Sequence, residues 1–325
     1  MRAIIPVAGE GTRLRPHTYT LPKVLLNVAG KPMIGHILSE LESHKVPKAT
    51  IITGYMGKLI QDYVKNNFDL EVDFVPQKAS LGLGHAIWVG RETYEENDPL
   101  MIILGDTIFD LNLTELMKSE YSVIGTKYVE DPRRFGVVET DENGFIINMV
   151  EKPEKFVSNS AIVGIYYIKN PKLLIECLNE LIEKDIRTKL EYQLTDALFM
   201  MMKRGEKFKT FNVDGWYDCG KPETLLSTNE YMLSKFNQNI EIEGSVIIPP
   251  VYIDSTAIVE NSVIGPNVTI ANGAKVKDSI VRNSIISSNA MVSISTLHNS
   301  IIGNHSSVKG RFNTLNVGNS SEIEY

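Results

Sequence analysis

The residues best suited to chemistry lie near the N-terminus. There the run Ile4-Ile5-Pro6-Val7-Ala8 opens into Gly9-Glu10-Gly11-Thr12-Arg13-Leu14-Arg15-Pro16, and Pro22-Lys23 follows. A short apolar run broken by Gly-x-Gly reads as a buried strand delivering a loop whose backbone N–H groups face an anion. Gly9 and Gly11 supply permissive dihedrals and a close approach, while Arg13 and Lys23 bring full positive charge to the same place. That is phosphate chemistry, and a nucleotide phosphate is the expected guest. A second candidate is Asp106. Leu100–Leu104 is a continuous apolar run ending in Gly105-Asp106, which reads as a central parallel strand presenting a carboxylate at its C-terminal end. Such ends are where open α/β sheets bind ligands.

Two glycine motifs are excluded by spacing. A dinucleotide fingerprint needs a third glycine where Leu14 stands, and a P-loop needs Gly-Lys-Ser/Thr after four intervening residues. Gly54-Tyr55-Met56-Gly57-Lys58 lacks P-loop spacing too and reads as a strand-to-helix turn. The blocks Gly9-x-Gly11-Thr12-Arg13-Leu14-x-Pro16, Pro22-Lys23 and Lys31-Pro32-Met33-Ile34 resemble the signature of the sugar-1-phosphate nucleotidylyltransferases. The resemblance continues through Leu104-Gly105-Asp106, Glu151-Lys152-Pro153 and Trp216-Tyr217-Asp218-x-Gly220, covering roughly residues 2–235. It implies an α/β, Rossmann-like domain with a mostly parallel sheet. The implied reaction is Mg²⁺-dependent transfer of a nucleotidyl group from dTTP or UTP to a hexose 1-phosphate, glucose 1-phosphate first among them, with pyrophosphate as the second product.

Both reactants are polyanions, so the work expected of the protein is charge neutralisation and in-line positioning rather than covalent catalysis. On the resemblance, Arg13, Lys23, Asp106, Lys152 and Asp218 form the catalytic set. Ala8, Gly9, Gly11, Thr12 and Arg13 hold the nucleotide; Arg13 takes the β and γ phosphates and Lys23 the α-phosphate. Asp106 and Asp218 are the implied Mg²⁺ ligands, a hard cation being bound through one or two carboxylates, waters and phosphate oxygens. Gln77 and Gly82 are the implied pyrimidine readers, because an amide pairs with N3–H and a ring oxygen and a glycine admits the base edge. Lys152 grips the sugar phosphate, Glu151 accepts from sugar hydroxyls, and Gly136, Asn159 and Val163 complete the sugar pocket. Two positions depart from many relatives: Val163 and Lys221 each stand where threonine is common. Other readings are a mannose-1-phosphate guanylyltransferase, a bifunctional nucleotidyl/acetyltransferase, a cytidylyltransferase for a non-sugar phosphate, or a silent subunit that binds nucleotide-sugar.

The elements that must position these residues follow from periodicity. Met33, Ile34, Ile37, Leu38 and Leu41 share one helical face, Pro47 closes that segment, and Ala49–Thr53 is the next strand. A helix carrying Leu59, Ile60, Tyr63 and Val64 leads to a strand over Leu70–Val75, then to a loop from Pro76 that runs into a helix near Ala86. Asp141-Glu142-Asn143-Gly144 marks a hairpin between Phe135–Thr140 and Phe145–Glu151. Ile162–Ile168 is a strand, Lys172–Glu183 and Leu194–Arg204 are helices, and Phe208–Asn212 leads to the second aspartate block. A helix from Pro222 to about Asn237 is the domain boundary, giving a catalytic domain over 1–237 and a second domain over 238–325.

Beyond Asn239 the texture changes to Ile, Val, Ser, Asn and Gly. Ile258, Ile264, Ile270 and Val276 are spaced by six; Val268, Ala274, Ile280, Ile286 and Val292 form a second such series, resumed by Ile302 and Val308. Hexapeptide spacing predicts three short faces per coil, each aiming one aliphatic residue inward, hence a short parallel β-helix, which the resemblance implies is left-handed. Its open ends and edges predict a homo-oligomer. His298 and His305 follow no recognisable acyltransferase motif and read as structural or coil-edge residues, and Arg311–Tyr325 reads as a cap or a segment packed on a neighbour. The 325 residues are 43% hydrophobic, enough for a large core. A net charge of −7 with no basic run argues against a nucleic-acid partner. No apolar run is long enough to span a bilayer and no signal-peptide pattern opens the chain, so a cytoplasmic location without membrane attachment is expected. Cys177 and Cys219 fit neither a metal site nor a disulfide framework.

Overall fold

The computed structural model describes residues 1–110, 112–236 and 240–311. Contacts divide the chain into two compact units, Met1–Leu26 with Lys31–Leu225, and Asn27–Gly30 with Leu226–Tyr325.

In the first unit, β1 (Arg2–Val7), β2 (Lys48–Thr53), β3 (Glu71–Pro76) and β4 (Leu100–Ile103) form the parallel part of a nine-stranded mixed sheet in the order β3-β2-β1-β4. Helices α1 (Met33–Ser43) and α2 (Gly57–Asn67) make the crossovers, and α3 (Leu83–Val89) follows β3. Two cores explain the uninterrupted apolar runs of β1 and β4. Ile4, Ile52 and Ile102 pack on one face with residues of α3, while Ala3, Ile5, Ile51 and Met101 pack on the other with α1 and α2. A strand covered on both faces has no solvent side to alternate toward.

After β5 (Thr107–Asp110) come β6 (Ser122–Tyr128), the hairpin β7 (Gly136–Thr140) with β8 (Ile146–Glu151), and β9 (Ser160–Ile168). The long strand β9 runs antiparallel to β4, β6 and β7, so the sheet changes direction just past β4. Helices α4 (Pro171–Glu183) and α5 (Leu194–Lys203) add Leu174, Cys177, Leu178, Ala197, Leu198 and Met201 to the core containing Ile4. β10 (Phe208–Asn212) pairs in parallel with β6, and β11 (Gly215–Asp218) forms a separate ribbon with β5. Helix α6 (Pro222–Ser234) follows. Neither cysteine forms a disulfide, and both are buried. No described helix is long and apolar enough to cross a membrane.

The second unit is a parallel β-helix. Three four-stranded parallel sheets stack coil upon coil, with strands such as Val246–Ile247, Val263–Ile264, Ile280–Arg282 and Thr296–His298 in register. Partner positions advance by seventeen residues between the first coils, from Val251 to Val268, and by sixteen between later ones, from Ile285 to Ile301. A strict repeat of six would require eighteen. One or two faces of each coil are therefore a residue short, and the inward positions drift relative to the six-residue series. Val259 and Val281 are the buried residues of their strands, whereas Ile258 and Ile280 point outward at 45% and 40% exposure.

The corners are turned by left-handed residues, chiefly Asn and Asp: Asn261, Asn267, Asp278, Asn283, Asn289 and Asn299 all have positive φ. A serine ladder satisfies the backbone at one corner, where the hydroxyls of Ser245, Ser262 and Ser279 accept from the N–H groups of Ser262, Ser279 and Ser295 in turn. His298 and His305 are exposed, the latter at a left-handed corner. Buried Asn229 of α6 ties this unit together, its Oδ1 accepting from Ala29 N–H at 2.9 Å and from Thr269 Oγ1 at 2.6 Å. The segment expected to cap the solenoid lies, from residue 312 onward, outside the described residues.

Candidate active site

The glycine loop leaves β1 at the C-terminal edge of the parallel strands. Gly11 is left-handed at φ 64°, and a Cβ there would stand 3.0 Å from both Lys23 Cβ and Thr18 Cγ2. Only glycine suits this position. Its carbonyl accepts from Thr18 Oγ1 at 2.8 Å and from Leu14 N–H at 2.9 Å, which starts a one-turn helix over Thr12–Leu14. Leu14 is buried and anchors that turn, so Arg13 beside it is thrown outward and exposed. A second short turn, Lys23–Leu25, follows Pro22 and carries Lys23 inward; its Nζ lies 2.7 Å from Asp106 Oδ2. The Lys23 side chain is 9% exposed and that of Asp106 41%.

Ala8, Gly9, Lys23, Gln77, Gly82, Asp106 and Glu191 are among the walls of one cleft of about 290 Å³. The ribbon of β5 and β11 brings the second aspartate in. Thr107 is opposite Asp218, and the Cys219 N–H donates to the Asp106 carbonyl at 3.1 Å. Arg13 reaches the same place, because a Cβ built on Gly220 would fall 2.7 Å from Arg13 Nη2 and 2.9 Å from Asp218 Oδ1. Two cations and two carboxylates thus converge from four separate stretches of chain. Asp106 and Asp218 offer only oxygen donors, the type that a hard divalent cation takes. Among the described residues no group of three potential ligands occurs, so such a cation would complete its shell with waters or phosphate oxygens.

The Gln77 N–H continues the β2–β3 pairing by donating to the Thr53 carbonyl at 2.8 Å, and its side chain bonds Gly82 and His85. Gly82, at φ 106°, would bring a Cβ to 2.7 Å from the Tyr192 carbonyl, so the close approach requires glycine. The cross-strand pair Gly136 and Glu151 lies on the hairpin. Glu151 Oε2 accepts from Thr195 Oγ1 at 2.8 Å and stands 2.8 Å from where a Gly136 Cβ would be. Lys152 has a left-handed backbone and donates its N–H to Phe135; its Nζ is 3.5 Å from Glu151 Oε1. Gly136, Glu151 and Lys152 therefore form a second group, which does not line the 290 Å³ cleft.

The remaining two expected sugar-pocket residues also make contacts within the fold. Val163 is buried in the core with Val7 and Met101. Asn159 donates its side-chain amide to the Val129 carbonyl at 2.8 Å, pinning two strands together.

Residues 2–235 match the family model described as nucleotidyl transferase. The chain belongs to this family. The nucleotidyl transferase is 38% identical over 258 residues to the bifunctional protein GlmU of Methanocaldococcus jannaschii, a match covering 76% of this chain and 60% of that protein. The chain thus spans about 60% of the length of that curated relative. It is 28% identical over 336 residues to a glucose-1-phosphate thymidylyltransferase of Streptomyces griseus, covering 94% of this chain and 92% of the relative. Among solved structures, a UDP-glucose pyrophosphorylase complexed with UDP-glucose matches with a TM-score of 0.62 at 29% identity, over 72% of this chain and 99% of that one.

One stretch of the nucleotidyl transferase escaped sequence reasoning: Glu191-Tyr192-Gln193-Leu194-Thr195-Asp196, just ahead of and into α5. Glu191 lines the cleft and is held by Gln193 Nε2 at 2.9 Å. Tyr192 donates its N–H to the Leu81 carbonyl and accepts from Gly84 N–H, each at 2.8 Å, bracing the loop that carries Gly82. Thr195 holds Glu151. Asp196 Oδ2 has no hydrogen-bond partner among the described residues, and burial pushes that carboxyl above the usual range. The available signal was a run of polar side chains at the start of an apolar helix, more than a capping residue alone would need.

Proposed function

We propose that the protein transfers a nucleotidyl group from dTTP or UTP to a hexose 1-phosphate, glucose 1-phosphate first among them, with Mg²⁺ as cofactor. The observation that carries this reading is the single cleft in which the glycine loop, the Lys23–Asp106 pair and the Gln77–Gly82 base wall meet. A phosphate oxygen of the sugar 1-phosphate attacks the α-phosphorus, the bond from that phosphorus to the bridging oxygen breaks, and pyrophosphate leaves. Lys23 bears on the α-phosphate and Arg13 on the β and γ phosphates, where a guanidinium fork suits the departing pyrophosphate. Asp106 and Asp218 would hold Mg²⁺, which when bound supplies charge neutralisation on the phosphate oxygens. Lys152 takes the sugar phosphate, and Glu151, fixed by Thr195, accepts from sugar hydroxyls. The relatives support the sugar-nucleotide reading: one is named for glucose 1-phosphate and thymidylyl transfer, and another is complexed with UDP-glucose.

The test is pyrophosphate release across dTTP, UTP, CTP, GTP and ATP, each with several sugar 1-phosphates. A dTTP or UTP signal with glucose 1-phosphate, abolished by chelation and restored by Mg²⁺, is expected. GTP with mannose 1-phosphate as the preferred pair would overturn the pyrimidine assignment while keeping the chemistry, and silence with every pair would overturn the activity.

A further inference from the structure

Behind the base wall, on the first turn of α3, stands His85. Gln77 Nε2 lies 3.3 Å from the Gly82 carbonyl oxygen and 2.9 Å from His85 Nδ1. A carbonyl can only accept, so the amide edge turned toward Gly82 is the NH₂ group. Its second hydrogen then points at His85 Nδ1, which must offer a lone pair. The ring is therefore neutral with its proton on Nε2. With both hydrogens engaged, Oε1 is the one polar atom that Gln77 leaves for a ligand in the cleft it lines.

Two aromatic rings stack against the imidazole in that orientation. Trp88 stacks on it at 5.8 Å and 29°, and Tyr192 at 6.3 Å and 27°. Each of these rings is itself tied. The Trp88 indole N–H donates to Asn179 Oδ1 at 2.8 Å, and the Tyr192 hydroxyl donates to Asp185 while accepting from Arg187. Burial also holds the His85 pKa below its ordinary 6.5, which favours the neutral ring.

We propose that His85 is a positioning residue for base selection: it locks the Gln77 amide with its oxygen presented to the cleft, so that the site takes a base edge that donates a proton there and rejects one that accepts. Uracil and thymine donate through N3–H. Cytosine presents a bare N3 at the same edge, and its acceptance would require the amide to turn over, leaving Gln77 Oε1 against the lone pair of His85 and the carbonyl of Gly82. The inference rests on the pyrimidine reading of the cleft and adds a residue that does not touch the nucleotide.

The test separates the lock from mere packing with two substitutions. His85→Phe keeps an aromatic ring against Trp88 and Tyr192 but loses the acceptor; His85→Asn loses the ring but sets Oδ1 near the position of Nδ1. Steady-state kinetics with UTP, dTTP and CTP are compared in wild type and both variants. In His85→Phe the kcat/KM preference for UTP or dTTP over CTP is expected to fall about tenfold, the worth of one lost hydrogen bond, through KM rather than kcat. In His85→Asn the preference is expected to stay within about threefold of wild type. An unchanged preference in the Phe variant together with a lost one in the Asn variant would assign His85 to packing and overturn the lock. Wild-type preference for GTP would overturn the pyrimidine reading alone. The lock is then judged by the same pair of variants on the KM for GTP, whose N1–H donates to the same oxygen. Nitrogen NMR of the wild-type imidazole gives a reading that does not depend on either variant folding. A bare Nδ1 is expected, and a proton on Nδ1 overturns the proposal.

Discussion

Lys23 and Asp106 are paired at 2.7 Å but are unequally buried, and the inequality predicts different consequences for removing either partner. Asp106→Asn leaves a lysine ammonium whose side chain is only 9% exposed facing a neutral amide. Lys23→Met leaves a carboxylate that is 41% exposed and can be hydrated where it stands. Breaking a fully buried pair costs about 3–5 kcal/mol, and an exposed pair contributes about 0–1 kcal/mol. The stranded lysine falls between these limits, at about 2 kcal/mol, and the stranded aspartate at the exposed limit, below about 1 kcal/mol. For a unit of this size, about 2–4 °C of melting temperature goes with each kcal/mol. Differential scanning calorimetry of ligand-free protein is therefore expected to show a fall of about 4–8 °C for Asp106→Asn and less than half of that for Lys23→Met. On the proposed function both variants are expected to lose at least about a hundredfold in kcat, because Lys23 would bear on the transferring phosphate and Asp106 on the cation that neutralises it. Equal losses of melting temperature, or a larger one for Lys23→Met, would show that the pair is not stabilised in the way its burial implies. Turnover within a few-fold of wild type in either variant would refute its place in the chemistry.

Two further outcomes are expected. Thr195→Val deprives Glu151 Oε2 of its 2.8 Å donor and should raise KM for the sugar 1-phosphate by about five- to tenfold with the triphosphate KM unchanged, measured by varying each substrate at saturation of the other. In the β-helix, Val281→Asn puts an amide into the prism and should cost about 3 kcal/mol or more, whereas Ile280→Asn, one residue away and facing out, should stay within about 1 kcal/mol; denaturant unfolding of the two variants decides whether the coil register is right.

The parts of this protein that could be read from sequence are those whose cause is local. The loop after β1 follows an apolar run and carries Gly9, Gly11, Arg13 and Lys23 within about twenty residues, and Asp106 follows closely on a strand whose burial on both faces shows as an unbroken apolar run. The hairpin carrying Glu151 announces its own turn through Asn143-Gly144. What stayed hidden depends on distant contacts. Thr195 matters because it lies against Glu151, and Tyr192 because it hydrogen-bonds Leu81, pairings that no short window contains. Val163 stands out because threonine is common at its position among relatives, and its burial in the core with Val7 and Met101 is set by strand packing that this position alone does not reveal. In the β-helix the six-residue spacing revealed the architecture and placed Ile264, Val276 and Val292 inside, but it missed at two positions, since dropping a single residue at a corner exchanges an inward for an outward neighbour. Val259 and Val281 take the interior that Ile258 and Ile280 were expected to fill. The left-handed Asn and Asp residues at the corners record the true register, and they were the better ruler.

On the proposed function, the stretch from Glu191 to Thr195 carries the most consequence for the chemistry, because it would set both sides of the reaction at once. Its backbone holds the base wall, through Tyr192 to Leu81 and from Gly84 to Tyr192, and its Thr195 side chain holds the carboxylate of the sugar side. In-line transfer needs the two reactants fixed relative to one another far more than it needs either bound tightly. A single five-residue connection would achieve that with little slack, as its two ends are bonded to the groups proposed to face the base and the sugar. The division between backbone and side chain also makes the two sides separable. Thr195 can be changed without disturbing the loop around Gly82, whose spacing is set by main-chain atoms and by the absence of a Cβ. Sugar preference can therefore shift by single side-chain replacements at this end, while the base wall resists all but changes to its glycines or to the Gln77–His85 pair.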